Sequence, residues 1–272
     1  MPELPEVETT RRGILPRILD RTLGEVVVRE SRLRHAVSPT LDRISGDRVT
    51  ALRRRGKYLV FSLARGGHLL VHLGMSGSLR IVATDSPCRR HDHILIDLPA
   101  GRQLRYHDPR RFGIFLHLAE GDPDAHPLLA ALGPEPLSED FGASCLIDAC
   151  RGRSRTIKAV IMDPRVVVGV GNIYASEALF RAGIRPRTAA RRLSRPRLAA
   201  LAESIREVLA EAIEQGGTTL RDFVQSDGQP GYFRQSLFVY DRADQPCRAC
   251  AATIRQAIVA QRSTYWCPEC QR

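Results

Sequence analysis

The spacing of apolar positions changes period twice along the chain. Val7, Ile14, Leu15 and Ile18 recur at helical intervals from Val7 to Leu19, with Gly13 and Pro16 weakening the middle of that helix. The chain then turns to short β-type runs at Leu23 to Arg29, Lys57 to Ala64, His68 to Leu73, Leu79 to Ala83, His93 to Leu98, Gln103 to Tyr106 and Phe112 to Leu118, separated by Gly, Pro and Asp. This spacing predicts a β-sandwich or barrel with the first helix packed against it. A linker is expected from Gly121 to Pro136, and beyond it the period is helical again. Arg155 to Met162 and Ile173 to Ala182 read as short helices joined by the glycine turn Val168-Gly169-Val170-Gly171-Asn172. The strongest helix is Arg195 to Gln215, with Leu198, Leu201, Ile205, Val208, Leu209, Ala212 and Ile213 on one stripe, Ser194 as its cap and Gly216-Gly217 as its stop. No internal repeat or low-complexity segment interrupts the pattern.

Charge narrows the partner. The 272 residues carry 41 Lys and Arg against 30 Asp and Glu, a net charge of +11, with Arg far in excess of Lys. The planar guanidinium fork matches phosphate oxygens, so the surplus points to a polyanion, nucleic acid ahead of an anionic membrane surface. No apolar run reaches the roughly 18 residues of a membrane span, and no apolar signal segment follows a basic start. A soluble, cytoplasmic protein without membrane attachment is expected.

Cys88, Cys145 and Cys150 are scattered and read as ordinary small apolar residues. Cys247, Cys250, Cys267 and Cys270 form two C-x2-C pairs 16 residues apart, the spacing of a zinc ribbon. Two disulfides are the alternative, disfavoured in a reducing cytosol. With all four positions taken by thiolates, one Zn²⁺ would be structural, with no open site for chemistry.

The start, Met1-Pro2-Glu3-Leu4-Pro5-Glu6-Val7-Glu8, places an amine beside a carboxylate once Met1 is removed. A free α-amine has a pKa of about 8 against about 10.4 for Lys, so more of it is unprotonated and nucleophilic. Attack by a secondary amine on a sugar C1′ gives a cationic iminium. The competing reading is a helix start, which Pro5, Glu6 and Glu8 also suit. The glycine turn before Asn172 exposes backbone N–H groups at a helix start, a seat for phosphate, or it is simply a tight turn. Leu73-Gly74-Met75-Ser76-Gly77 and His107-Asp108-Pro109-Arg110-Arg111-Phe112-Gly113 put Met75, Arg110 and Phe112 among turn formers. There they suit a wedge that fills the stack vacated by an extruded base, where the alternative is the sandwich core.

Taken together, these motifs resemble formamidopyrimidine-DNA glycosylases over essentially the whole chain. The carriers are Pro2 to Thr9, Gly56-Lys57-Tyr58-Leu59, His72 to Gly77, Asp108 to Gly113, Val168 to Ala175 and the four-cysteine tail. The resemblance implies a multidomain α+β chain: an N-terminal β-sandwich with a flanking helix over 1–133, a helix-two-turns-helix domain over 134–225, and the end of a lesion loop with a C-terminal zinc ribbon over 226–272. It implies a bifunctional glycosylase and abasic-site lyase that removes oxidised purines from damaged double-stranded DNA, as a monomer. Pro2 would be the nucleophile and Glu3 the acid/base, with Lys57 aiding β-elimination and Arg262 clamping charge at δ-elimination. His72, His91, Arg110, Arg153, Lys158 and Asn172 would hold the backbone or, with Met75 and Phe112, wedge the duplex.

Three positions depart from the family pattern. Ala251 stands where Gly is common after the first knuckle, Arg34-His35-Ala36 where an aromatic and a proline are expected, and Arg153 where Lys is common. The lesion loop, near Thr218 to Tyr232, is not interpretable from sequence. Two other functions compete: an endonuclease VIII-type enzyme for oxidised pyrimidines, against which Leu4 and the Met75, Arg110, Phe112 set argue, and a noncatalytic zinc-dependent DNA-binding protein.

Overall fold

A computed structural model describes residues 2–217 and 236–272, so the expected lesion loop lies outside the described residues. The chain forms two compact units, one running to Ala130 and taking in Gly216 and Gly217, the other holding Ala131–Gln215 and the C-terminal segment to Arg272.

The first unit opens on helix α1 (Leu4–Ile18), which has Pro5 in its first turn and Glu6 accepting the N–H of Glu3 at 2.8 Å. Pro5 has no N–H to leave unsatisfied there, and Glu6 takes up one of the donors that a helix start leaves open. Leu4, Val7, Ile14 and Ile18 are buried on its inner stripe. Pro16 does not break the helix; it lies in the last turn, and Leu19 still closes onto the Leu15 carbonyl at 3.0 Å.

Eight strands follow: β1 (Val26–Val28), β2 (Val49–Arg55), β3 (Tyr58–Leu63), β4 (His68–His72), β5 (Ser78–Ala83), β6 (Asp92–Leu98), β7 (Arg102–His107) and β8 (Ile114–Leu118). They make two four-stranded antiparallel sheets, ordered β1-β6-β7-β5 and β2-β3-β4-β8. One apolar core, including Leu59, Phe61, Val71, Ile94, Leu104, Tyr106 and Phe115, joins both sheets to α1. This is the expected sandwich, with one strand more than the apolar runs indicated. β2 escapes the alternation pattern because a register shift lies between Val49 and Ala51, so its buried residues are Val49 and Leu52, three apart. Inside the expected linker, Pro123–Ala125 forms a 3-10 turn and Pro127–Ala130 a short helix, α2.

The second unit holds α3 (Ala143–Cys150), α4 (Ile157–Ile161), α5 (Asn172–Arg181) and α6 (Arg195–Glu214), then β9 (Arg255–Val259) and β10 (Arg262–Trp266). The α6 stripe is buried as its periodicity indicated. Ser194 does stand at its N-cap, but its hydroxyl caps nothing. α3 was not expected: it starts at Gly142 without a side-chain cap, and only Leu146 and Cys150 are buried, too sparse a stripe to read. A second, smaller core gathers Val239, Cys247, Ile254, Tyr265 and Cys267 around the cysteine cluster. No described helix is long and apolar enough to cross a membrane.

Candidate active site and DNA-facing loops

Strand register gathers most of the first unit's candidate residues at one end of the sandwich. Gly56 and Lys57 are the two-residue turn between β2 and β3, where Arg55 faces Tyr58. Gly56 takes the left-handed φ of +57° that the first position of such a turn needs, which leaves Lys57 at the tip. Tyr58 faces His72 across β3 and β4, and His72 faces Ile114 across β4 and β8. In the other sheet, His107 faces both Ser78 and Asp92 at the same end. The turns at 73–77 and 108–113 connect the two sheets there, so Lys57, His72, Met75, His91, Arg110 and Phe112 share one rim.

Pro2 and Glu3 are both buried at the head of α1. One turn further on, Glu8 holds Arg11 at 2.8 Å, Arg12 at 3.0 Å and Arg54 of β2 at 3.3 Å. Arg54 in turn donates to the Gly56 carbonyl at 3.0 Å. Burial alone would raise the Glu8 carboxyl, but the hydrogen bonds from Arg11 and Arg12 and the charges of Arg11 and Arg54 outweigh it and keep the group ionised. Glu8 was not singled out from sequence, although its spacing to Arg11 and Arg12 is that of helix ion pairs. It ties the Pro2 helix to the Lys57 turn.

His72 is neutral. Burial, helped by the charges of Lys57 and Arg34, pushes its imidazole down to about 3. The Gly74 N–H donates to its Nδ1 at 2.9 Å, so the ring proton sits on Nε2. His91 borders a cleft of about 400 Å³ lined by Arg29, Glu30, Arg90, Asp92, His93, Pro109 and Arg111, and partial burial with Arg90 and His107 beside it lowers its basicity. Asp92 below it is an ion-pair hub: Arg80 and His107 each reach Oδ1 at 2.8 Å and the Arg89 N–H reaches Oδ2 at 2.9 Å.

Phe112 is 44% exposed, and the Arg110 guanidinium lies 4.9 Å from its ring centroid. Between them Arg111 holds a left-handed φ of +56°, a strained conformation for an arginine, braced by Glu30 at 3.3 Å. Met75 is half-buried on the facing turn. Neither apolar side chain belongs to the sandwich core, so the turn reading prevails over the core reading.

In the second unit, Val259 faces Arg262 across a two-residue turn in which Ala260 and Gln261 both have positive φ, and exposed Arg262 opens the returning strand. Lys158, expected to hold the DNA backbone, is a buried cation. It is 1% exposed, and its ammonium donates to Thr264 Oγ1 at 2.8 Å and to the Ser263 carbonyl at 3.4 Å. Burying an ammonium without acceptors is costly, and Thr264 and Ser263 supply them. Asn172, the first residue of α5, donates to the same Ser263 carbonyl at 2.9 Å, and its own buried Oδ1 has no hydrogen-bond partner among the described residues. Both side chains therefore hold the strand beside Arg262 through the Ser263 carbonyl and, for Lys158, Thr264. Arg153 is exposed in the turn after α3.

The Sγ atoms of Cys247, Cys250, Cys267 and Cys270 lie within 4.8 Å of one another, with Cys247–Cys270 at 3.9 Å and Cys250–Cys267 at 3.4 Å. Tetrahedral zinc with bonds of about 2.3 Å separates its sulfurs by about 3.8 Å, so the cluster fits the ion. Backbone N–H groups of Ala249 and Cys270 point at Cys247 and Cys267 sulfurs, as thiolates require. Ala251 adopts the φ of +61° that Gly would hold more cheaply, so the departure from the family costs strain and not the knuckle. The protein holds one structural zinc.

An antiparallel sandwich headed by a buried Pro-Glu pair, a helix pair joined by a glycine turn, and a four-cysteine ribbon follow one another along the chain. Family models agree along the chain: the formamidopyrimidine-DNA glycosylase N-terminal domain matches residues 1–115, the H2TH domain of the same enzymes residues 132–224, and a zinc finger found in FPG and IleRS residues 244–272. The chain belongs to the formamidopyrimidine-DNA glycosylase family. It is 56% identical over its full length, and theirs, to the formamidopyrimidine-DNA glycosylase of Stutzerimonas stutzeri, and 57% identical to that of Methylococcus capsulatus. Among solved structures it is similar to the MutM (Fpg) protein of Thermus thermophilus (TM-score 0.90, 43% identity, covering 99% of this chain and 98% of that one). It is also similar to a Lactococcus lactis FPG mutant in complex with Fapy-dG DNA (TM-score 0.92, 33% identity, covering 100% of each chain).

Proposed function

We propose that this protein is a base-excision-repair enzyme that removes oxidised purines, 8-oxoguanine and formamidopyrimidines, from duplex DNA and then cleaves the abasic strand. Base removal rests on family membership and on relatives bound to Fapy-dG and carbocyclic 8-oxo-G DNA. The lyase half is carried by one observation: Pro2 and Glu3 are buried together at a helix head fixed by Glu6. An amine and a carboxyl held this way act without the entropy cost of assembling them.

With Met1 removed, the Pro2 nitrogen is a free secondary amine; retained, Met1 would make it an unreactive amide. Attack on C1′ forms the N–C1′ bond and breaks the bond to the damaged base, which leaves with a proton. Glu3 hands a proton to the ribose oxygen as the ring opens, leaving an iminium at C1′. The iminium acidifies C2′–H, so loss of that proton expels the 3′ phosphate, and a second elimination expels the 5′ phosphate. Water then hydrolyses the iminium and frees Pro2. Lys57 serves as proton donor and phosphate partner. Arg262 cannot readily give up a proton, so it stabilises charge on phosphate. Neutral His72 offers Nε2–H to a phosphate oxygen, and His91, Arg153, Asn172 and Lys158 hold backbone. Met75, Arg110 and Phe112 fill the vacated stack, with Arg110 facing the orphaned base. Its donors match O2 and N3 of cytosine and oppose the amino group of adenine.

Incubation with abasic DNA and borohydride tests this reading: the native protein is expected to form a DNA-linked species, and Pro2→Gly to trap poorly. A fully active Pro2→Gly protein trapped at an internal Lys would overturn it. Preferential excision of oxidised pyrimidines would move the protein to the endonuclease VIII type.

A further inference from the structure

We propose that Asp108 is a positioning residue that locks the Met75 turn and the Arg110–Phe112 turn into one rigid wedge, a step that rests on the reading of those three side chains as the group filling the vacated stack. Asp108 is fully buried. Its Oδ1 accepts the Ser76 hydroxyl at 2.9 Å, and its Oδ2 accepts the Gly113 N–H at 2.9 Å and the Tyr106 hydroxyl at 3.2 Å. Ser76 Oγ accepts the Arg110 N–H at 3.3 Å, while the Asp108 carbonyl binds His93 Nε2 at 2.8 Å and the Arg111 N–H at 3.1 Å. Each wedge residue is thus one bond or one residue from this carboxylate: Met75 adjoins Ser76, Arg110 is bound by Ser76, and Phe112 adjoins Gly113.

The two turns also touch through their backbones. A Cβ on Gly74 would lie 2.5 Å from Gly113 N and 2.5 Å from the Phe112 carbonyl carbon, so no side chain fits between them. What keeps them at that separation is the carboxylate that spans both. Asp92, in the same unit, contrasts with it: Arg80 and His107 pair with Asp92, the usual way a buried carboxylate is compensated. Among the described residues Asp108 forms no ion pair, and its carboxylate is held by neutral donors from the two turns and from Tyr106, behind the Met75 turn. A buried charge satisfied only by such donors is an expensive way to stabilise a core but an exact way to set a distance, because each bond has its own length and direction.

An Ala at this position leaves all three donors without their acceptor, whereas Asn would keep an oxygen for Gly113 and Tyr106 and turn its amide to the Ser76 hydroxyl, which can accept. The experiment uses full-length native protein, Asp108→Ala, Ser76→Ala and Ser76→Thr, with three readouts: single-turnover excision of 8-oxoguanine opposite C and opposite A, fluorescence of 2-aminopurine beside the orphaned base, and borohydride trapping on single-stranded abasic DNA, where there is no stack to fill. Asp108→Ala and Ser76→Ala are expected to lose duplex excision by about 10²-fold, the scale of a 1 Å misplacement. Their C-over-A ratio should collapse toward one and the 2-aminopurine signal should fall, while single-strand trapping stays at the native level. Ser76→Thr, which keeps the hydroxyl, is expected to restore the ratio. If Asp108→Ala does not fold, the Ser76 pair decides. An unchanged C-over-A ratio in folded variants, or equal losses on single-stranded and duplex substrates, would overturn the proposal. Failure of the native protein to trap would instead overturn the lyase reading.

Discussion

Glu177, a residue no sequence motif singled out for a role, is expected to hold the ribbon to the helices. Its carboxylate is buried on α5 and accepts three consecutive backbone N–H groups: Phe238 at 2.8 Å, Val239 at 3.0 Å and Tyr240 at 2.8 Å. Phe180, three residues along the same helix, stacks on Phe238 with centroids 5.2 Å apart. In Glu177→Ala all three donors lose their acceptor. The Val239 donor is in the small core and the other two are partly wet, so at about 1–3 kcal/mol for each dry donor and less for the wet ones the loss is about 3–5 kcal/mol, a large share of a domain's stability. Glu177→Gln keeps one oxygen for Val239 and Tyr240 but turns an amide N–H toward Phe238, so it should cost about 1–2 kcal/mol. Burial holds the Glu177 carboxyl above the ordinary carboxylate range even though three N–H groups and Arg181 favour its charge. A raised acid contributes stability that is complete below its unfolded value and lost as pH rises through its folded value. The native protein's advantage over Glu177→Gln should therefore shrink as pH rises through that window. Denaturant unfolding and zinc release to a chromophoric chelator measure both effects. An Ala variant that unfolds and releases zinc like the native protein would refute the reasoning, and a Gln variant as weak as Ala would show that charge, not hydrogen bonding, is what matters.

Three further outcomes are expected. Cys250→Ser should lose zinc and DNA binding while the sandwich core stays folded; elemental analysis with circular dichroism checks it, and metal-free protein that binds DNA normally would contradict it. For Asp92, burial alone would raise the carboxyl, but His107, the Arg89 N–H and Arg80 lower it to about 2 from 3.8. That contributes about 2 kcal/mol present above pH 3.8 and lost as pH falls through 2, so acid unfolding of Asp92→Asn should lack that part of the slope. DNA binding should weaken steeply with salt, each neutralised phosphate adding about −0.9 to the slope of log K against log salt, and Arg153→Ala should lower that slope by about one on damaged and undamaged duplexes alike.

What could be read from the sequence was what is local. The C-x2-C pairs and the α6 stripe each place their chemistry at short, regular spacing, where spacing alone constrains geometry. β2 was hidden because three of its seven residues are arginines and a bulge breaks its alternation; those arginines are engaged from elsewhere, Arg54 by Glu8 and Arg53 by Asp124. The burial of Lys158 was not legible because nothing near it in sequence announces Thr264, 106 residues away, whose hydroxyl makes that burial tolerable. The same holds for Asp108 and Glu177. Glu177 binds three backbone N–H groups, and a backbone donor leaves no mark in an amino-acid sequence; Asp108 binds one such group, of Gly113, and a hydroxyl of Ser76 that lies 32 residues away. The groups proposed to react and to contact DNA therefore lie in motifs, while the bonds through which Glu8, Asp108 and Glu177 act are visible only once the chain is folded. A loss of discrimination without loss of the trapped intermediate, at Asp108 or Ser76, is the outcome that would separate these two kinds of residue by experiment.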